Sequence, residues 1–576
     1  MTHSNSRGLS RRNFLAFAGG AAGFATLAGL GILDLTGTVE TNDRKIDPDR
    51  LTSKEHETDL LVIGGGMAGL FAAVKGADAG ARVMLVSKGR LGSSGQTPFA
   101  KGIFCYDGKK EKLSPDQFVA AVSRSALGTN NPVFTRQLAE HSLARVKELR
   151  EWGFFDSSLY NTCFSKPITE REIPLLERIM ITHLIKSEGR IAGAAGFSFD
   201  DGTIHFFKAK SVILCTGAGG FKPNGFPICD LTHDGTAMAY RIGAKVTGKE
   251  WNDGHPGQSI NPAACFDNWH GMFERKPGLT GVEIHHDLGV DVNYQAYVAG
   301  GPLVGHGPGE FDGSKVRGGP YRPAEFDRPA GGPPPRDGER PHGPPPGMAG
   351  GALVGGSSAG MSIHKSEGLV PYDATGASNI PGLWAAGDAL GSHMAGGIYT
   401  QVGSSLAGSA IQGAIAGEAA AAYSQKRKQA KISSQERKRV ETGILAPLKC
   451  DKGYSPAWVT QTLQGIMIPN FVLYIKKERM LQAALAYVEE LRDHHLPMLR
   501  AADLHELRLA HETANMVLNA EMKLRASLFR RESRCSHYRL DFPERDETNW
   551  NCWVNLYSGP DGSMKLEKQP FGTWPG

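Results

Sequence analysis

Three glycines spaced as G-x-G-x-x-G, Gly64, Gly66 and Gly69, are the residues of this chain best suited to hold a dinucleotide. Each place needs glycine for its own reason. The first turns the chain sharply, the second lets the backbone approach a pyrophosphate, and the third packs helix against strand. A helix starting there aims unpaired N–H groups and the positive end of its dipole at the anion. The flanks supply the elements that must position this loop. Asp59 to Ile63 is a short apolar run of β-formers, Leu70 to Ala79 has few helix breakers before Gly80, and Ala81 to Val86 gives a second strand. That strand ends in Ser87-Lys88, where a ribose-binding Asp or Glu is expected; serine bonds a hydroxyl more weakly than a carboxylate does.

A second stretch of the same kind follows. Arg190–Phe199 and Thr203–Phe207 flank Asp200-Asp201-Gly202, a hairpin signal, and feed a buried strand, Ala209–Cys215, that runs into the glycine turn Thr216-Gly217-Ala218-Gly219-Gly220. The loop from Gly89 to Ile103 is small and polar, which suits a segment lying along a cofactor. Asn131–Trp152 has the apolar spacing of an amphipathic helix that covers the sheet.

At 576 residues the chain has room for several domains. A net charge of +5, with no basic face interleaved with aromatics, argues against nucleic acid as a partner. Ser10-Arg11-Arg12-Asn13-Phe14-Leu15, followed by an uncharged Ala/Gly/Leu run to Leu33, reads as a twin-arginine export signal, and 1–45 as signal plus linker. That route carries already folded, often cofactor-loaded proteins, so the expected location is the periplasm or the outer face of the cytoplasmic membrane. The eight cysteines form no C-x-x-C or C-x-x-C-H, so an attached haem, a cysteine-ligated cluster and a metal site have no support. Electrons must then enter or leave through another molecule.

VIGGGMAGL, VMLVSKGRLGSSGQT, SVILCTGAGGF, THDGTAMAYRIGAKV, NIPGLWAAGDALG, GSSLAGSAIQGAIAGEAAA and RASLFRRESRCSHYRLDFPERDETNW cover most of Glu57 to Trp550. In this order they resemble the flavoprotein subunits of the fumarate reductase and succinate dehydrogenase family, whose relatives include adenylylsulfate reductase, aspartate oxidase and 3-ketosteroid dehydrogenase. The resemblance implies an α/β fold: a Rossmann-like FAD-binding domain (56–250 and 355–424), an inserted α+β capping domain (251–354), a helical C-terminal domain (435–535) and a tail (536–576). It implies FAD held by Gly64, Gly66, Gly69, Ser87 and Lys88 at its ADP part and by Thr216, Gly217 and Asp234 at the second glycine turn. Gly387-Asp388 would hold the ribityl chain, and Ser405-Leu406 the helix N-terminus aimed at the isoalloxazine, where the dipole favours negative charge. Some relatives attach FAD through a histidine in the first loop; aligning Thr97 puts Gln96 there, so noncovalent FAD is expected.

The chain departs from the family in two places. From 299 to 351 about half the residues are Gly or Pro, a composition that cannot bury enough apolar surface to offset its ordering entropy. In the dicarboxylate-handling members an arginine precedes the flavin helix; here Thr400 takes its place, and a neutral hydroxyl cannot clamp a carboxylate bidentately. Fumarate and succinate are therefore not the expected substrates. The alignment leaves His255, His393, Tyr399 and Thr400 as candidate catalytic residues, His255 as a donor to a substrate carbonyl and Tyr399 as an acid. The expected activity is hydride transfer between flavin and a small organic substrate. The electron carrier expected beside it is a cytochrome or an iron–sulfur subunit. The alternatives are a non-catalytic flavin-binding protein and an adenylylsulfate-reductase-like flavoprotein within an electron-transfer complex.

Overall fold

A parallel strand pair joined by one helix opens the chain's central sheet. In the computed structural model, which describes residues 46–222, 228, 230–252, 257–258, 261–265, 274–284, 353–354, 365–398, 400–468, 470–473 and 475–575, strand β1 (Ser53–Ile63) leads through the glycine loop into α1 (Met67–Asp78) and β2 (Val83–Val86). β1 and β2 pair in parallel, Leu60 opposite Val83 and Ile63 opposite Val86. The inner end of β1 is fully buried, as a strand covered on both faces must be.

The sheet has seven strands. β2 also pairs with the short β4 (Leu175–Leu176), while β1 pairs in parallel with β7 (Ile204–Leu214). β5 (Ile179–Ser187) and β6 (Arg190–Ser198) extend it antiparallel, and the turn at Gly202 closes the β6–β7 hairpin expected there. Chain returning late in the sequence adds β11 (Leu383–Ala385) parallel to the end of β7. Between these, β3 (Gly102–Phe104) pairs with β9 (Gly278–Thr280).

Helix α4 (Ser404–Gln425) packs on α1. Its Ala/Gly composition makes this possible: a Cβ on Gly413 would stand 2.2 Å from the Ala68 carbonyl oxygen, so the two backbones touch. The main core holds the inner faces of α1, α4, α2 (Pro132–Glu151) and the sheet, with Leu61, Phe71, Leu85, Phe134, Ile213 and Ile411 fully out of water. Each aliphatic or aromatic side chain buried there contributes about 1.5–3 kcal/mol, which secures the sheet end where the glycine loops emerge.

The helical region contains α5 (Pro456–Met467), α6 (Glu478–Glu490) and α7 (Leu504–Phe529). Ser455 and Asp503 cap α5 and α7 by accepting backbone N–H bonds from Trp458 and Glu506. Val459, Leu463, Leu481, Val488, Val517 and Leu524 form their shared core. The stretch read as a tail is not one. β12 (Cys552–Ser558) and β13 (Met564–Pro570) form a hairpin, and β12 pairs with β8 (Val246–Thr247), which pairs in turn with β10 (Gly368–Leu369). Trp553 and Val554 alternate with polar neighbours as a half-buried strand requires, a signal hidden in sequence by the short period. Asp47–Gly576 makes one compact unit. Among the described residues no helix is long and apolar enough to cross a membrane. The leader, most of the cap and the Gly/Pro-rich insert lie outside the described residues.

Candidate functional site

The ends of β1, β2, β7 and β11 open into a single elongated cleft of about 840 Å³, counted to its solvent mouth. Gly64 sits at its floor with φ 118°, and its N–H donates to the Val86 carbonyl at 2.8 Å. A Cβ on Gly69 would lie 1.8 Å from the Gly64 carbonyl oxygen, so only glycine lets α1 start this close to β1. Gly66 is the N-cap of α1 and offers no side-chain acceptor, which leaves the first N–H groups of the helix to face the cleft. That is an anion seat built from backbone alone.

Ser87, Lys88, Gln96, Thr97, Thr216, Gly217, Asp234, Gly387 and Asp388 all line the same cleft, together with Gly64 and Gly66. The Met67 N–H donates to Thr97 Oγ1 at 3.2 Å, tying the polar loop to the helix start. Gly217 turns with φ 71°, and Thr216 Oγ1 is buried without a protein partner, a polar atom available to a ligand.

Lys88 has more partners than its place at a strand end suggests. Its ammonium donates to Asp234 Oδ2 at 2.7 Å, to Glu512 Oε1 at 2.9 Å and to Thr232 Oγ1 at 3.2 Å. Burial alone would lower its pKa, but Asp234 and Glu512 more than offset this and raise it. Burial likewise opposes the charge on Asp234, yet Lys88 beside it holds the carboxyl below the ordinary range. Asn515 Nδ2 adds a bond to Asp234 Oδ1 at 2.8 Å. Glu512 and Asn515 belong to α7, so the helical region closes one wall. Neither stands out in sequence, because a carboxylate in a polar helix looks like ordinary solvent-facing charge.

At the other end Gly387 turns with φ 67° and donates its N–H to Gln412 Oε1 at 3.1 Å. Asp388 accepts from Lys365 Nζ at 2.8 Å and from Ser405 Oγ at 3.3 Å. Gly403, in the left-handed region at φ 75°, caps α4 without a side-chain bond, so Ser404, Ser405 and Leu406 present another uncapped helix start. Ser405 reaches the cleft through Asp388, and Leu406 packs in the main core.

The catalytic candidates fare unevenly. His255 and Tyr399 lie outside the described residues. His393 is not on the cleft. Its backbone turns with φ 48°, which sends the ring toward the β8–β12 sheet, stacked on Trp553 with centroids 5.1 Å apart and 3.3 Å from Thr247 Oγ1. Burial, and Arg530 beyond it, push its pKa down to about 3, so it stays neutral. Thr400 is fully buried and donates its hydroxyl to the Ala395 carbonyl at 3.1 Å. Its neighbour Gln401 donates to the Gly281 and Val402 carbonyls, both at 3.0 Å, binding the loop to the segment after β9. No arginine is found among the described residues that line the cleft.

Behind the cleft lies a buried charge cluster that nothing in the sequence marks. Glu367 accepts from Lys249 and Lys523, each at 2.5 Å, and lies 3.3 Å from His233 Nδ1. Burial lowers the Lys249 pKa to about 8 and the His233 pKa to about 4, the latter despite Glu367 beside it. The Glu532–Arg539 segment ties α7 to the flavin-side loop rather than to the cap: Ser536 Oγ donates to the Gly397 carbonyl at 2.8 Å, while Arg534 pairs with Glu532 and bonds the Leu127 carbonyl.

Comparison with known proteins fits this geometry. Residues 59–162 match the FAD binding domain family and residues 460–573 the fumarate reductase flavoprotein C-terminal family. The chain is 25% identical to a flavoprotein of Methanothermobacter marburgensis, one component of its fumarate reductase (CoM/CoB), over 91% of this chain and all of that protein. Its fold is that of Mycobacterium smegmatis Sdh1 in complex with UQ1, with a TM-score of 0.69, 23% identity, and 90% and 95% of the two chains covered. Adenylylsulfate reductase of Archaeoglobus fulgidus shares the fold with a TM-score of 0.67, 20% identity, and 92% and 98% covered. An extended cleft with two uncapped helix starts, a free threonine hydroxyl and a carboxylate at a glycine turn fits a dinucleotide with a ribityl arm. The chain belongs to the fumarate reductase and succinate dehydrogenase flavoprotein family and is an FAD-dependent oxidoreductase.

Proposed function

We propose that this protein is exported, holds FAD noncovalently, and moves hydride between the flavin and a small organic substrate other than fumarate or succinate. Bound FAD supplies the hydride and electron chemistry. The chain's own contribution is binding and orientation. The Gly64–Gly69 loop and the start of α1 would take the diphosphate, Asp388 the ribityl hydroxyls, and the start of α4 the negative charge that develops on reduction. Gln96 on the cleft wall has no nucleophilic atom to join to a flavin, which supports the noncovalent reading.

The observation that carries the substrate reading is the state of Thr400. Its hydroxyl is spent on the Ala395 carbonyl inside its own loop, at the place where dicarboxylate-handling relatives carry arginine. The relative from Methanothermobacter is named a fumarate reductase, so the family alone does not argue against fumarate; this residue does. Export rests on Arg11-Arg12 and the uncharged run behind them, and the need for a separate electron carrier on the absence of any cysteine motif for a bound cluster. The test is anaerobic reduction of the purified flavoprotein followed by a screen of candidate acceptors for flavin reoxidation. An organic acceptor other than a dicarboxylate is the expected hit; exclusive reoxidation by fumarate or by an inorganic sulfur compound would overturn the reading.

A further inference from the structure

Lys365 stands behind the cleft with its whole side chain out of water. It is 1% exposed, its backbone is held in the left-handed region at φ 62°, and its stem runs across the second turn of α4. The fit is close: a Cβ on Gly408 would lie 2.5 Å from Lys365 Cε. The ammonium donates to Asp388 Oδ1 at 2.8 Å and to Ser409 Oγ at 2.9 Å, and both of those residues line the cleft. Its carbonyl accepts from the His393 N–H at 2.7 Å, so the strand end that carries it is fixed to the turn after Asp388. A long cation is costly to bury, by several kcal/mol before compensation, and Asp388 is the carboxylate that pairs with it.

We infer that Lys365 is a positioning residue for the flavin: it keeps Asp388 ionised and aimed into the cleft, and adds a full positive charge to the positive end of α4, so that the reduced, negatively charged cofactor is favoured. This rests on the reading above that Asp388 and the start of α4 face the flavin. The electrostatics follow from the placement. The helix terminus contributes about half a charge, and an ammonium packed against its second turn about doubles that in a medium where water does not screen it. Burial lowers the lysine's pKa, but the neighbouring carboxylate resists the loss of its proton. Asp388 alone would work against reduction, since it places negative charge where more is about to arrive; Lys365 cancels it without removing its hydrogen-bonding oxygens. Glycine at 408 is what makes room for this arrangement.

The test compares native protein with Lys365→Met and Lys365→Arg, each loaded with FAD, by redox titration against reference dyes. The equilibrium constant for reduction is expected to fall about tenfold or more in Lys365→Met and to be largely restored in Lys365→Arg. A Lys365→Met protein that holds FAD and reduces within twofold of native overturns the proposal. Should Lys365→Met fail to fold, the native protein still decides: at mildly acidic pH, where free reduced flavin is neutral, its reduction should take up one proton per two electrons, and uptake of two would overturn the idea. Asp388→Ala separates this from the underlying placement. If that variant binds FAD as tightly as native, the assignment of Asp388 to the flavin has failed; if it loses FAD while Lys365→Met leaves the reduction equilibrium unmoved, only the role of Lys365 has.

Discussion

Lys88 Nζ and Asp234 Oδ2 lie 2.7 Å apart, and Glu512 joins them from α7 at 2.9 Å from the same ammonium. The end of the second strand, the second glycine turn and the helical region therefore meet in one buried ionic knot on the cleft wall, to which Lys222 also bonds through Glu512. Removing Glu512 leaves two lysines short of a partner in a place water cannot reach. Glu512→Ala is expected to cost about 3–5 kcal/mol of stability, read as a lowered urea midpoint, and added FAD should recover part of it by mass action. A loss under about 1 kcal/mol would show that the knot is solvated in solution and that α7 does not close this wall.

Gln96 lines the cleft where some relatives carry the attached histidine, and an amide nitrogen does not alkylate. Acid precipitation should accordingly release all of the yellow colour into the supernatant. Flavin that stays with the pellet would point to another attachment residue.

Two histidines buried in neutral form set an acid limit. His393 is pushed down to about 3 and His233 to about 4, both chiefly by burial, against an ordinary value of 6.5. The unfolded chain then binds more protons than the folded one from about pH 6.5 down to those values, so stability falls as the pH drops through that window and is unaffected above it. Each histidine adds a slope of roughly 1.4 kcal/mol per pH unit there. Denaturation midpoints from pH 7 to pH 4.5 check this, and His393→Gln should flatten the profile by about one proton; an unchanged slope would mean His393 is charged or hydrated in the folded protein.

Export through the twin-arginine route predicts that replacing Arg11 and Arg12 with lysine strands flavin-loaded protein in the cytoplasm. Fractionation with a flavin assay on each fraction measures it, and undiminished export of the double variant would remove the signal reading.

The ADP end of the site is legible in the sequence because its requirements are local. Gly64, Gly66 and Gly69 act through backbone geometry over six residues, and the strand and helix beside them have clean periodicities. Much less can be read where the partners are distant in sequence. Glu512 and Lys88, 424 positions apart, meet only through the docking of α7, and nothing in a polar helix marks one glutamate as buried. The cluster of Glu367, Lys249, Lys523 and His233 is invisible for the same reason. His393 misleads because its spacing from Asp388 suggests a place near the flavin loop, while a positive φ, which sequence does not announce for histidine, turns its ring the other way. The stretch after Arg534 looks like a tail because a hairpin of seven-residue strands shows too few periods to stand out.

The flavin site is built without a dicarboxylate clamp, since Thr400 has a hydroxyl already bonded to Ala395 where a guanidinium would contribute charge-assisted bonds of about 1.5–3 kcal/mol each. Stopped-flow reoxidation decides the point: the dithionite-reduced, anaerobic protein is mixed with millimolar fumarate and followed at the flavin absorbance. The flavin should stay reduced; rapid reoxidation and turnover would contradict the substrate reading, and would mean that an arginine elsewhere, such as Arg275 beside β9, has taken over the clamp.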